Sequence, residues 1–186
     1  MNISQRMFSF ESFDLLYLSD ADSGQISMVL LPPNMPHRYL DRRVNLDIPE
    51  LKRNALPCPA WEVGSLCHLS LRNRAQSNGA GGTLLGGIST KEMKCHQQDV
   101  VSHDGSIEIR TVLRSDDGYE IVHTAAHHSA EDGIEVQTVF TNRSAQPVQL
   151  ELLTSFALDN LSPFALDDAP LRIKLHRFYG GWSHEG

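Results

Sequence analysis

Two stretches decide how this chain folds: SIEIRTVLR at 106–114 and IEVQTVFT at 134–141. In the first, Ile107, Ile109 and Leu113 fall on one side of an extended chain, and Glu108, Arg110 and Arg114 on the other. In the second, Ile134, Val136 and Phe140 oppose Glu135, Gln137 and Thr141. Successive side chains of a strand point to opposite faces, so period-two alternation predicts antiparallel strands with one face buried and one wet. A third run, 148–156, carries Val148, Leu150, Leu152 and Phe156 against Gln149, Glu151 and Ser155, and predicts another such strand. Turn signals separate these runs: Asp104-Gly105, Asp117-Gly118, Asp132-Gly133 and the polar segment 142–147. Asp-Gly accepts the positive backbone angles of tight hairpins, so consecutive long strands joined by short turns predict a meander.

Working outward, Phe13–Leu18 and Ile26–Leu31 are apolar runs joined by the acidic turn Ser19–Gly24, which predicts a hairpin. Pro32, Pro33 and Pro36 then end sheet pairing, because proline cannot donate to a ladder. Asp47 before Ile48-Pro49-Glu50 has the form of a helix N-cap and predicts one short helix over 48–54. The segment 57–72 and the segment Leu171–Tyr179 predict further strands, and the glycine-rich Ser77–Gly87 a loop. That loop has neither the lysine nor the following helix that a phosphate-cradling loop requires. No ten-residue apolar stripe of helical period occurs. The expected class is all-β, with at most one or two short helices, in a single domain over 1–186.

The composition agrees with a packed, water-facing domain. The chain has 186 residues, 40% of them hydrophobic and 21% charged, and a chain of that size buries roughly 70% of its unfolded surface. Sixteen Lys and Arg against 23 Asp and Glu leave a net charge of -7. An acidic chain without a basic run lacks the electrostatic footprint of a nucleic-acid binder. No apolar stretch approaches the ~18 residues of a membrane-spanning helix, and Met1–Phe10 has no signal-peptide layout. Cys58, Cys67 and Cys95 are odd in number and without CxxC spacing; they are expected as reduced thiols of a cytoplasmic protein, with no metal and no cofactor. The Asn-x-Ser/Thr triplets at Asn2, Asn142 and Asn160 are expected as chance matches.

Nine histidines raise the question of a metal site. His123 and His127 share one face of a predicted strand, yet at ~3.3 Å per residue they stand roughly 13 Å apart, and His127 and His128 point to opposite faces. The acidic pairs Asp116-Asp117 and Asp167-Asp168 are sequence neighbours in turns, where side chains diverge into solvent. A retaining glycosidase needs two carboxyl groups facing each other about 5 Å apart. No nucleophile elbow or Ser/His/Asp layout occurs. Trp61 and Trp182 are the two tryptophans, each either a buried packing residue or a stacking platform for a sugar ring.

The run VQLELLTSFAL at 148–158, LSPF at 161–164, LHRFY at 175–179 and WSHEG at 182–186 together resemble the N-terminal domain of family 36 glycoside hydrolases, the microbial α-galactosidases. That domain closes with a His-Arg-Phe-(three residues)-Trp-Ser-x-Glu-Gly strand after a Leu-Glu-x-Leu-x-Ser-Phe strand. The resemblance spans about residues 100–186. It implies an antiparallel two-sheet β-supersandwich of the galactose mutarotase type. It also implies a (β/α)8 barrel in the same parent chain, holding both catalytic aspartates of a retaining α-galactosidase. The barrel's Lys-Trp-Asp and Cys-Ser-Gly-Gly-Gly motifs do not occur here, so this piece is expected to be a non-catalytic N-terminal fragment. By the same resemblance the domain packs on the barrel and helps assemble a homo-oligomer. A family loop carrying Asp-Phe-Arg before a Pro-Ala strand start is replaced here by Leu56-Pro57-Cys58 before Pro59-Ala60, leaving Trp61 beside it for galactoside contact. Two further functions compete: an independent carbohydrate-binding module using Trp61 or Trp182, and a mutarotase-like enzyme needing His123 or His127 to converge with a carboxylate such as Glu135.

Overall fold

The computed structural model describes residues 2–33, 63–72 and 87–158. They form an all-β, antiparallel assembly with one single-turn helix. Nine strands are hydrogen-bonded in three sheets. The first contains β1 (Ile3–Ser9), β2 (Asp14–Asp20) and β3 (Ile26–Leu31) in that order. The second pairs β4 (Leu69–Leu71) with β9 (Leu150–Leu153). The third is the meander: β5 (Lys94–His103), β6 (Ser106–Arg114), β7 (Tyr119–His128) and β8 (Glu135–Asn142), in sequence order. The helix α1 (Ile88–Lys91) precedes β5.

The meander follows from its alternation. Ile109, Thr111 and Leu113 of β6 are buried, as are Ile121, His123 and Ala125 of β7, and register pairs Ile109 with Ala125, Thr111 with His123 and Leu113 with Ile121. These residues form the inner face. Glu135 and Gln137 of β8 are exposed on the outer face. The turns behave as their Asp-Gly pairs require at two places, with φ of 74° at Gly105 and 84° at Gly118. Gly133 does not take a positive φ, because the β7–β8 connection is longer than a two-residue hairpin and its bends are shared among residues 129–134.

The first sheet obeys a different rule. Leu15, Leu16, Tyr17 and Leu18 are consecutive in β2 and all buried. Leu15 and Tyr17 join Ile26, Met28, Ile109, Leu113 and Ile121 in one cluster, while Leu16 and Leu18 join Val29, Leu31 and Val63 in another. Its inner face therefore packs on the meander, and its outer face carries a second core. The expected hairpin lies where the two apolar runs placed it. The acidic turn is closed by Asp20, whose carboxylate accepts from the Ser23 hydroxyl at 2.8 Å and the Asp22 amide at 3.1 Å. The Ser23 hydrogen bond, then the Asp22 amide, hold its pKa below the usual carboxylate range. The edge strand β1, with the polar sequence ISQRMFS, has no counterpart in the sequence reading.

Two expected strands shrink. Of the described part of 57–72, only Leu69–Leu71 is strand. Side-chain hydroxyls take over the neighbouring backbone: Thr154 Oγ1 accepts from the His68 amide, and Thr90 Oγ1 accepts from the Leu69 amide and donates to the Leu69 carbonyl. Likewise the run 148–156 yields only β9, which leaves the meander to pair with β4 across a register shift at Ser70/Leu71. The expected alternation fails there, since Leu150 and Phe156 are exposed while Val148 and Leu153 pack on the core. The expected helix over 48–54, the loop 77–86 and the strand 171–179 lie outside the described residues. Among the described residues, no helix is long and apolar enough to cross a membrane.

Candidate functional site

The ladder register sorts the inner face of the meander into cross-strand rows. Val100, Ile109, Ala125 and Val136 form an apolar row, and beside it runs a polar one: Gln98, Thr111, His123 and Thr138. Gln98 Nε2 donates to Thr111 Oγ1 at 3.0 Å, and Thr138 Oγ1 donates to the Ser155 carbonyl. The Arg6 guanidinium reaches across from the first sheet to the Gln98 carbonyl and Oε1 at 3.4 and 3.5 Å. His123 has no solvent exposure, and among the described residues neither ring nitrogen has a hydrogen-bond partner. Burial disfavours the charged ring and pushes its pKa down to about 4. Tyr17, the cross-strand partner of Arg6, is in the same position: its hydroxyl is buried, unpartnered among the described residues, and raised in pKa by burial.

Four residues along β7, His127 occupies a contrasting environment. The β1–β2 turn, closed by the Phe10 amide on the Phe13 carbonyl at 2.9 Å, brings two aromatic rings onto it. Their centroids lie 4.3 Å (Phe10) and 5.5 Å (Phe13) from the imidazole, and 4.8 Å from each other. His127 Nδ1 lies 2.8 Å from the Gly133 carbonyl. A carbonyl only accepts, so Nδ1 carries the proton of this contact. The two hairpin ends are tied together here by the Ser129 amide donating to the Gly105 carbonyl at 2.7 Å. An open hollow of about 370 Å³ results. Phe10, Ile107 and His127 line it together with Ser102, His103, Gly105, Ser106 and Ser129.

The residues singled out from the sequence are distributed as follows. Trp61, Trp182, Cys58, Asp167 and Asp168 lie outside the described residues. Asp116 and Asp117 are exposed in the β6–β7 turn, as turn residues should be. His128 is exposed, and Glu135 pairs with Ala126 on the outer face, opposite the face of His123 and His127. His123, His127 and Glu135 therefore do not converge. Cys67 and Cys95 are free thiols. Burial raises both, Cys67 to about 12, which leaves them protonated and weakly nucleophilic. No group of three or more His, Cys, Asp or Glu able to hold a metal occurs among the described residues. Glu120 accepts from Arg143 Nη2 at 2.7 Å and Arg114 Nε at 2.9 Å, an outer-face ion-pair cluster that, led by the Arg143 hydrogen bond, lowers its pKa.

The residues that the sequence reading missed are Phe10, Phe13, His103 and Ser129. A partial signal existed: His103 adjoins one Asp-Gly turn, and Ser129 begins the β7–β8 connection. Nothing in the sequence brings Phe10 to them. Comparison with protein-family models, with curated proteins and with solved structures returns no match for this chain.

Proposed function

We propose that the chain is the non-catalytic N-terminal domain of an α-galactosidase of glycoside hydrolase family 36. In this role it is a β-supersandwich that packs on the catalytic barrel of its parent chain and supports assembly of a homo-oligomer in the cytoplasm. What carries the reading is the conjunction, in one chain, of an antiparallel sandwich with the motif pair VQLELLTSF and HRFYGGWSHEG at 148–156 and 176–186. The dispersal of the described candidate groups supports it, since Asp116, Asp117 and Glu135 face solvent and share no cleft with His123. The purified 186-residue chain is expected to release no nitrophenol from p-nitrophenyl α-galactoside. Turnover that is lost in an Asp116→Asn or Asp168→Asn variant would place catalysis inside this piece and remove the reading. A second reading is an independent carbohydrate-binding module, which predicts galactoside affinity without any barrel.

A further inference from the structure

The two outer strands of the meander are finished differently. Sheets keep their edges from pairing with other chains by means of charges, prolines and bulges. On one side, β5 has a register shift between Cys95 and Gln97, with Lys94 and Asp99 in the strand. On the other, β8 is laddered to β7 from Glu135 to Asn142 without a shift, and its one charged residue is the first. No strand lies on its far side among the described residues. The Arg143 amide donates inward, to the Gly118 carbonyl. Backbone groups alternate in direction along a strand, so Val136, Thr138, Phe140 and Asn142 turn their N–H and C=O groups outward. The segment after β9 that meets the Thr138 hydroxyl pairs elsewhere, the Thr154 and Ala157 amides donating to the His68 and Leu66 carbonyls.

The edge is complementary to a second copy of itself. A two-fold axis normal to the sheet keeps inner face with inner face, so it falls on a residue and never between two. The two registers of greatest overlap centre on Thr138 or on Val139. Centred on Val139, the strand sets Glu135 opposite Arg143 of the partner copy at both ends, and Gln137 opposite Thr141. Centred on Thr138, it sets Glu135 opposite Thr141 and Arg143 opposite Gly133, so charge selects the first register. Arg143 bonds Glu120 through Nη2, yet its side chain is 61% exposed and open to a second carboxylate. Val139, one of the exposed large apolar residues, then meets its own image. The outer-face row Val112, Val122, Val139 runs on through the axis into the same row of the copy.

We propose that β8 is a dimerisation edge, at which two copies pair antiparallel about Val139 and join their meanders into one continuous sheet. The edge is argued from its own geometry and holds whether or not a barrel follows; it assigns a surface to the homo-oligomer proposed above. Edge pairing buries little area, so the dissociation constant is expected on the order of micromolar.

Sedimentation velocity of the 186-residue chain, across a concentration series through the micromolar range, is the test. A reversible monomer–dimer equilibrium is expected. Glu135→Lys, at an exposed position, replaces two opposite-charge contacts with two like-charge ones and should weaken the dimer about tenfold. In the Val139-centred register residue 139 falls at a non-hydrogen-bonded pair, where Cβ atoms of facing residues lie closest. Mild oxidation of Val139→Cys should therefore give a dimer whose 139–139 disulfide is identified by peptide mass. A monomer throughout the series would overturn the proposal and leave the edge to a different strand. A dimer that Glu135→Lys leaves equally tight, and that forms no 139–139 disulfide, would also overturn it, placing the homo-oligomer on another surface. Neither result bears on whether a barrel follows Gly186, so this proposal and the galactosidase reading can fail separately.

Discussion

The first sheet and the meander are both antiparallel, yet they are stabilised by different means. In the meander one face is buried and the other is largely wet, with Val112 and Glu120 its buried exceptions, so the sequence alternates and a substitution at an exposed outer-face position touches little. In β2 and β3 both faces are buried, Leu15 and Tyr17 against the meander and Leu16 and Leu18 in the second cluster. Alternation disappears because there is no wet face to encode. The comparison shows that a continuous apolar run four to six residues long reports burial on two sides, and an alternating run burial on one.

The largest expected effect separates the two rules directly. Leu18 has no exposure, and Leu18→Ala should cost about 2–5 kcal/mol through lost transfer energy and the cavity left behind. Since each kcal/mol is worth about 2–4 °C at this chain length, a melting scan should show a clear fall. Val139→Ala, on the outer face of β8 with 47% exposure, should stay within about 0.5 kcal/mol. Equal losses would break the comparison.

A second experiment sharpens it, by asking whether the meander's inner face is as dry as its burial implies. His123 is held neutral, with a folded pKa of about 4 below its ordinary 6.5. Its contribution is therefore present above about pH 6.5 and is lost as pH falls, because between those values the unfolded chain binds a proton that the folded one refuses. Integrated over the window, the loss is about 3 kcal/mol. Urea midpoints between pH 7 and pH 4 should fall accordingly, and His123→Phe should flatten the slope. A wild-type slope that His123→Phe leaves unchanged would assign the pH dependence to other groups.

The smallest effect concerns the turns that set the meander's register. At Gly118, φ is 84° and a Cβ would meet the Ser144 amide nitrogen at 3.2 Å, so Gly118→Ala should cost about 1–2 kcal/mol. Gly133 has ordinary φ and open space around it, so Gly133→Ala should be nearly neutral. Paired denaturation curves check both.

How much of this was legible in the residues depended on whether a local rule governed them. The bounds of β6 and the hairpin of β2 and β3 follow from pattern and turn chemistry. The strand β5 was hidden by a register shift between Cys95 and Gln97, which inserts His96 and switches faces within the strand, so KCHQQDVVSH does not alternate. The strands β4 and β9 were overestimated because their pairing shifts register at Ser70/Leu71 and the Thr154 hydroxyl takes the His68 amide that pattern reading assigns to a ladder. The polar row was half visible: His123 was singled out, but its neighbours Gln98, Thr111 and Thr138 meet it only through pairing register. The hollow was not legible at all, since it unites turns near residues 10, 104 and 130 that only the packing of one sheet on another brings together.

The claim on which the functional account depends, that this sandwich belongs to a larger α-galactosidase, is tested most directly by sequencing the gene beyond the Gly186 codon. The account predicts an uninterrupted reading frame encoding a (β/α)8 barrel with two catalytic aspartates. A stop codon directly after Gly186, or a continuation without a barrel, would contradict it.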